Sequence, residues 1–249
     1  MKNKVKWPRK DILNSIDEFS KLYAKRPIDN NDGGMKSAHM LASWFIVKTM
    51  KPKYIIESGV WKGLGTWLFE KASPDTKIIS IDPVPAFREY TSPNATYQTT
   101  DFLDTDWSHL PKDDTLLFFD DHQNFIKRLK HAKSLGFKHV IDEDNYPSIQ
   151  GDCYSPKKVI ANKPFVIDLA GKKDWYKVDQ KDVEFFEKKV KVYQEMPPIY
   201  KPDITRWGDV WTDENYTTPE PLLDIKDNKY PLFVEEAKDY TWLCYIELK

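Results

Sequence analysis

Four short apolar runs, each closing on an acidic residue, constrain this chain more than any other feature. They are Tyr54-Ile55-Ile56 before Glu57, Lys77–Ile81 before Asp82, Leu116–Phe119 before Asp120, and Lys138–Ile141 before Asp142. Stretches of helical period separate them, one reaching about Ala72 and another running from Gln123 to Leu135, where Gly136 supplies the usual C-terminal cap. Strands alternating with helices require right-handed crossovers and a parallel sheet. The expected fold is therefore α/β, a Rossmann-like, doubly wound, mostly parallel sheet. Ligands of such sheets bind beyond the C-terminal ends of the strands, where the acidic residues fall.

The flanks differ from this core. Ile12, Ile16, Phe19, Leu22 and Tyr23 predict a helix over 9–26, ended by Pro27. Ala38, Leu41, Ala42, Phe45 and Ile46 predict a second over 35–50, with one apolar side. After residue 150 the alternation fades. Phe165-Val166-Ile167 reads as a strand, 181–193 as a charged helix whose lysines form a solvated face, and Tyr240–Leu248 as a closing strand. Between them, 194–232 gathers Pro197, Pro198, Pro202, Pro219, Pro221 and Pro231 with Tyr200, Trp207, Trp211 and Tyr216. That is too aromatic for a solvated linker, so an ordered, irregular insertion is expected, suited to a lid or acceptor platform. The organisation is one domain: N-terminal helices 1–52, a ligand-binding core 53–150, an insertion 151–238 and a closing strand 239–249.

Composition excludes some functions. With 38 Lys+Arg against 39 Asp+Glu, no global basic field is present to hold nucleic acid. No apolar run approaches a membrane span, and the first residues lack a signal peptide's apolar stretch. Cys153 and Cys244 are the only cysteines, too few for a disulfide framework or a cysteine-based zinc site. A cytoplasmic protein is the expectation, with self-association left open.

Five of the nine glycines lie between residues 33 and 65. The turn after the first strand reads Glu57-Ser-Gly59-Val-Trp-Lys-Gly63-Leu-Gly65-Thr66. A dinucleotide turn would need a glycine at 68, which is Leu68, and a phosphate loop would need a lysine directly after its last glycine, where none sits. Asp82 follows Gly63 by 19 residues, where a carboxylate can accept from both ribose hydroxyls of a nucleoside. Such a clamp serves NAD equally, so a nicotinamide-dependent oxidoreductase is one rival reading. A non-catalytic binding protein on the same fold is the other.

The spacing Glu57-x-Gly59-x-x-x-Gly63-x-x-Thr66 resembles motif I of the class I S-adenosylmethionine-dependent methyltransferases. The runs Asp120-Asp121-His122 and Asp142-Glu143-Asp144-Asn145 narrow that resemblance to the cation-dependent O-methyltransferases of the catechol, caffeoyl-CoA and macrolide or glycoside type. The resemblance implies S-adenosylmethionine bound by Glu57, Gly59, Gly63, Thr66 and Asp82, with Asp101 at the adenine amino group and Phe102 flanking the ring. It gives Asp121, Asp144 and Asn145 to a divalent cation such as Mg²⁺, a hard ion suited to oxygen donors. The catechol type's lysine, three residues after its first Asp, is Asn124 here. His122 beside Asp121 is then the preferred base, its pKa raised into the useful range by a neighbouring carboxylate. His39 reads as a packed or surface residue, and His109, His131 and His139 lack partner spacing. The expected reaction is methylation of a hydroxyl on a small-molecule or glycan acceptor, preferably a sugar or glycoside.

Overall fold

A computed structural model describes residues 5–249. In chain order the elements are α1 Arg9–Asn14, α2 Ile16–Tyr23, α3 Ser37–Met50, β1 Tyr54–Ser58, α4 Leu64–Ala72, β2 Lys77–Ile81, β3 Ala95–Gln98, β4 Thr115–Phe119 and α5 Phe125–Ser134. There follow β5 His139–Asp142, α6 Pro156–Ala161, β6 Phe165–Leu169, β7 Lys172–Tyr176, α7 Gln180–Lys189, β8 Val190–Glu195, α8 Pro231–Glu235 and β9 Cys244–Leu248. Seven strands form one sheet in the order β3-β2-β1-β4-β5-β9-β8. The first five are mutually parallel, and β9 runs antiparallel between β5 and β8. This is a Rossmann-like, doubly wound, mostly parallel sheet, as the alternation predicted.

The strand order places the chain reversal between β1 and β4, whose neighbours diverge to either side. Open α/β sheets form their ligand crevice at that point. Ser58 pairs in register with Phe119 and with Ile81, and Phe119 with Asp142. The loops that leave β1, β2, β4 and β5 therefore start at one level on one edge. Both sheet faces are covered, Ile55 and Phe118 belonging to one apolar cluster and Ile56, Leu117 and Phe119 to the other. Among the described residues no helix is long and apolar enough to cross a membrane.

Three expectations shift. The predicted helix over 9–26 breaks at Ser15, whose hydroxyl bonds the Ile12 carbonyl at 2.6 Å and separates α1 from α2. Residues 37–47 of α3 are all buried, not one side only. Phe19 of α2 packs on Trp44 from one direction, while α4 lies on another, so polar His39 and Ser43 are enclosed too. The charged helix expected over 181–193 ends at Lys189, where Val190-Lys191-Val192-Tyr193 turns to strand period and joins the main sheet as β8. Thus 151–238 contributes a sheet strand as well as irregular chain. Within it Trp211 is core, stacked on Trp242 at 5.2 Å, whereas exposed Trp207 leans on Tyr146.

Candidate functional site

The turn between β1 and α4 is shaped by close backbone approach. Gly59 has φ +92, and a Cβ there would stand 1.8 Å from the Asp120 carbonyl oxygen. Gly63 has φ +93, and its Cβ would meet the Tyr90 carbonyl at 2.5 Å. Both positions exclude side chains through the protein's own backbone, so the glycine pattern is a folding requirement before it is a binding one. Glu57 lies fully buried beneath the turn and accepts from Thr66 Oγ1 at 2.6 Å and Ser80 Oγ at 2.7 Å. Burial pushes its carboxyl up to about 7, against those two hydrogen bonds.

Asp82 closes the turn from the side. One of its oxygens accepts from the backbone N–H groups of Val60 and Trp61 at 3.0 and 2.9 Å, and the other from Val84 at 2.7 Å. A carboxylate offers about four acceptor sites. Three are filled here, which leaves room for one further donor where two ribose hydroxyls were expected. Beside it, half-exposed Trp61 and exposed Phe87 lie 4.9 Å apart and make an apolar platform. Sequence reasoning missed this platform; an aromatic residue inside a glycine turn was its signal. The loop 30–35 folds over the turn, with Trp61 Nε1 donating to the Asp32 carbonyl and Lys62 Nζ to that of Asn30. Glu57, Gly59, Phe118 and Asp120 line a cavity of about 10 Å³ beneath it.

The residues expected at the adenine are committed elsewhere. Phe102 is fully buried in the core, edge-on to Phe119 at 5.0 Å and stacked with Trp107 at 5.7 Å. Asp101 is held by both terminal nitrogens of the buried Arg128, at 2.5 and 2.6 Å. The pairing holds its carboxyl below the usual range, although burial opposes it. Leu103, next along, is the exposed apolar side chain.

Beyond β4 and β5 three side chains converge. An oxygen of Asp120, a ring nitrogen of His122 and an oxygen of Asp144 lie within 4.8 Å of one another. The convergent set is thus not the expected Asp121, Asp144 and Asn145. Asp121 Oδ2 accepts from Ser58 Oγ at 2.7 Å and pairs with Arg128 at 2.9 Å. Asn145 is fully buried, donating from Nδ2 to Tyr193 Oη at 2.9 Å and accepting at Oδ1 from the Lys157 backbone at 2.8 Å. Both runs lie past the ends of their strands, where the chain leaves extended geometry (His122 has φ 53), and Asp121 and Asn145 turn to partners of their own.

The cluster is strongly polarised. Burial and the neighbouring carboxylates of Glu143 and Asp144 push Asp120 well up, and burial likewise raises Asp144 despite His122. Asp144 Oδ1 is buried without a hydrogen-bond partner. His122 sits in the left-handed region at φ 53, a strained conformation for a residue of this type. Its Nδ1 bonds Asp152, and that bond with the Asp144 charge lifts the imidazole to about 10. This overshoots the range expected of a base, so the ring is an imidazolium at neutral pH. Asp152 is presented by a loop that buried Lys158 pins, its Nζ donating to the carbonyls of Cys153 and Val166 at 2.7 and 2.8 Å.

Two more residues were not anticipated. Glu143 meets His39 Nδ1 in a short buried bond, and His39 Nε2 accepts from the Thr241 backbone at 2.8 Å. Because a backbone N–H can only donate, Nε2 is unprotonated and Nδ1 carries the proton toward Glu143. His39 therefore ties the residue before Asp144 to the segment leading into β9. Nothing in the spacing of a lone histidine on α3 signalled this.

The two carboxylates, one with a buried oxygen that makes no hydrogen bond, fit a hard divalent cation, whereas the His122 imidazolium has no lone pair to give one. The glycine turn and the cluster share Asp120, which lines the cavity under the turn.

No protein-family model matches the chain, and no curated protein matches it. Among solved structures it is similar to the O-methyltransferase TomG from Streptomyces achromogenes, involved in tomaymycin synthesis and solved with SAM. The two are 12% identical, with a TM-score of 0.49 over 100% of this chain and 92% of that one. An O-methyltransferase from Bacillus cereus in complex with SAH is 11% identical, with a TM-score of 0.46 over 98% and 94%. The SAH-bound Podospora anserina methyltransferase PaMTH1 is 16% identical, with a TM-score of 0.40 over 57% of this chain. That match spans 65% of the Podospora chain, just under two thirds of it.

Proposed function

We propose that this chain is an S-adenosylmethionine-dependent O-methyltransferase that methylates a hydroxyl of a small molecule, preferably a sugar or glycoside, with a divalent cation. The observation that carries the reading is the shared wall: Asp120 belongs both to the cavity beneath the glycine turn and to the acidic cluster. A methyl donor seated on the turn, with Asp82 at a ribose hydroxyl, would bring its reactive end toward that wall.

Asp120 and Asp144 would hold the cation. When bound, it supplies positive charge that acidifies a nearby hydroxyl. The chain's own residues do the remaining work. Asp152 fixes the His122 ring through Nδ1, leaving Nε2 as the atom that exchanges a proton with the acceptor. In the carboxylate field seen here that proton is retained at neutral pH. Neutralising Asp144 lowers the imidazole toward its usual range and turns Nε2 into a base.

Calorimetry with S-adenosylhomocysteine and with NAD, with and without Mg²⁺, tests the cofactor. Binding of the former and not the latter is expected, and the opposite preference would sink the proposal. Methyl transfer to a glycoside panel after exhaustive chelation tests the cation, and full activity in EDTA would remove it from the reading.

A further inference from the structure

A cavity far larger than the one at the glycine turn lies elsewhere among the described residues. It measures about 770 Å³, the size that holds a drug-sized ligand. Its walls come from the start of the described chain (Trp7, Arg9), the loop after β5, helix α6, the end of β8 and residues 214–220. Three ties hold these walls together. Lys157 Nζ bonds Glu195 Oε2 at 2.6 Å and the Thr217 carbonyl at 2.8 Å. Arg9 Nε bonds the Pro221 carbonyl at 3.0 Å. Asn145, the residue after Asp144, bonds both Tyr193 and the Lys157 backbone, so the cavity wall is fastened to the acidic cluster.

Two observations say what this space accepts. Glu195 has a side chain only 9% exposed, and its Oε1 is buried with no hydrogen-bond partner. An unpaired buried carboxylate oxygen is costly, and Glu195 belongs to the cavity lining, where a donor could relieve that cost. The ionisable lining is balanced, Arg9, Lys157 and Lys163 against Glu195, Glu214 and Glu220, so it exerts no net pull on a charged ligand. Trp7, Ile12 and Ile149 add apolar surface.

We infer that this cavity binds a neutral, hydroxyl-bearing small molecule with an apolar face, whose hydroxyls meet Glu195 and Tyr193. On the methyl-transfer reading above, that molecule is the acceptor. Glu195 is in register with Cys244, and Cys244 with Asp142. Two strand spacings, about 10 Å, therefore separate the cavity from the β5 end, within the length of a disaccharide-sized ligand.

Saturation-transfer NMR with phenyl β-D-glucopyranoside and its anionic counterpart phenyl β-D-glucuronide tests the inference on the full chain. The glucoside is expected to bind, and the glucuronide to bind at least fivefold more weakly. Ala161→Trp fills the cavity from an exposed position on α6 and should weaken the glucoside tenfold or more. Glu195→Gln, which swaps one acceptor oxygen for a donor, should weaken it about fivefold. S-adenosylhomocysteine affinity, measured on the same variants, should stay within twofold of wild type. No glucoside binding, equal binding of the glucuronide, or binding indifferent to Ala161→Trp each overturns the inference. If the wild type binds the glucoside in this way but not S-adenosylhomocysteine, the cavity site stands and the methyl-transfer reading falls.

Discussion

The acidic runs after β4 and β5 look alike in sequence and are used differently. In the first, Asp120 and His122 turn to the cleft while Asp121 locks onto Ser58 and Arg128. In the second, Asp144 alone joins them. Glu143 is tied to His39, Asn145 to Tyr193 and Lys157, and Asp142 is enclosed in the strand. Each run thus spends part of its polarity on holding the loop and part on the cleft. Neighbouring residues in such a run are consequently not interchangeable, and substitutions one position apart should fail in different ways.

The sharpest contrast is Asp144 against Asn145. On the proposed reaction, Asp144→Asn should lower methyl transfer about 100-fold, on the order of what losing a group that supports a metal site costs. S-adenosylhomocysteine affinity should change less than threefold. Asn145→Ala should instead lower stability by about 1–3 kcal/mol, because two buried hydrogen bonds are lost and their partners left unsatisfied. Equal loss of turnover at both, with stability intact, would erase the distinction.

Asp120 against Asp121 is the next comparison. Asp120→Asn should weaken Mn²⁺ binding, followed by paramagnetic relaxation of water protons, at least tenfold. Asp121→Asn should leave that affinity within threefold and lower the urea midpoint, since Arg128 keeps only Asp101 as a full ion-pair partner. A reversed pattern would restore Asp121 as the ligand.

Glu57, the acidic end of β1, supplies a control outside both runs. Its carboxyl is raised from 4.5 to about 7, so the native state holds the proton more tightly than the unfolded chain. Its stabilising share is fully present below pH 4.5 and declines as pH rises through 7, by about 3 kcal/mol at most. Unfolding in urea at pH 5 and pH 8 should show a decline in the wild type that is smaller in Glu57→Gln, the other raised groups being common to both.

His122 should give the smallest stability effect, because its side chain is half exposed and screened. Raised above its usual 6.5 to about 10, it contributes stability that is complete below pH 6.5 and lost as pH climbs through 10. In chelated protein the thermal midpoint should therefore drop between pH 7 and 10, and His122→Gln should flatten that drop. An unchanged slope in the variant would mean that the Asp152 and Asp144 contacts do not hold the proton.

Much of this was readable before the structure. The parallel sheet follows from β-rich runs spaced by helical ones, and the level edge of acidic residues follows from the sheet. The tight turn at Gly59 and Gly63 was readable as well, but not that the carbonyls of Asp120 and Tyr90 stand where side chains would go. Strand β8 was not legible, because Lys188, Lys189 and Lys191 continue the charge pattern of α7 across the change of period. Phe102 resembled a ring-flanking residue but packs inward, because Trp107, Phe119 and Phe137 converge on it from separate elements.

The sequence by itself determined which elements form, their order along the chain and the edge at which chemistry gathers, because hydrophobic period and glycine placement act over a few residues. Only the tertiary structure decided which carboxylate of each acidic run faces the cleft. That choice depends on the backbone's path past the strand end and on partners far off in sequence, Arg128 for Asp121, Tyr193 for Asn145 and His39 for Glu143. No local pattern encodes the meeting of such distant groups, and the direction of a buried side chain is set where its hydrogen bonds can be satisfied.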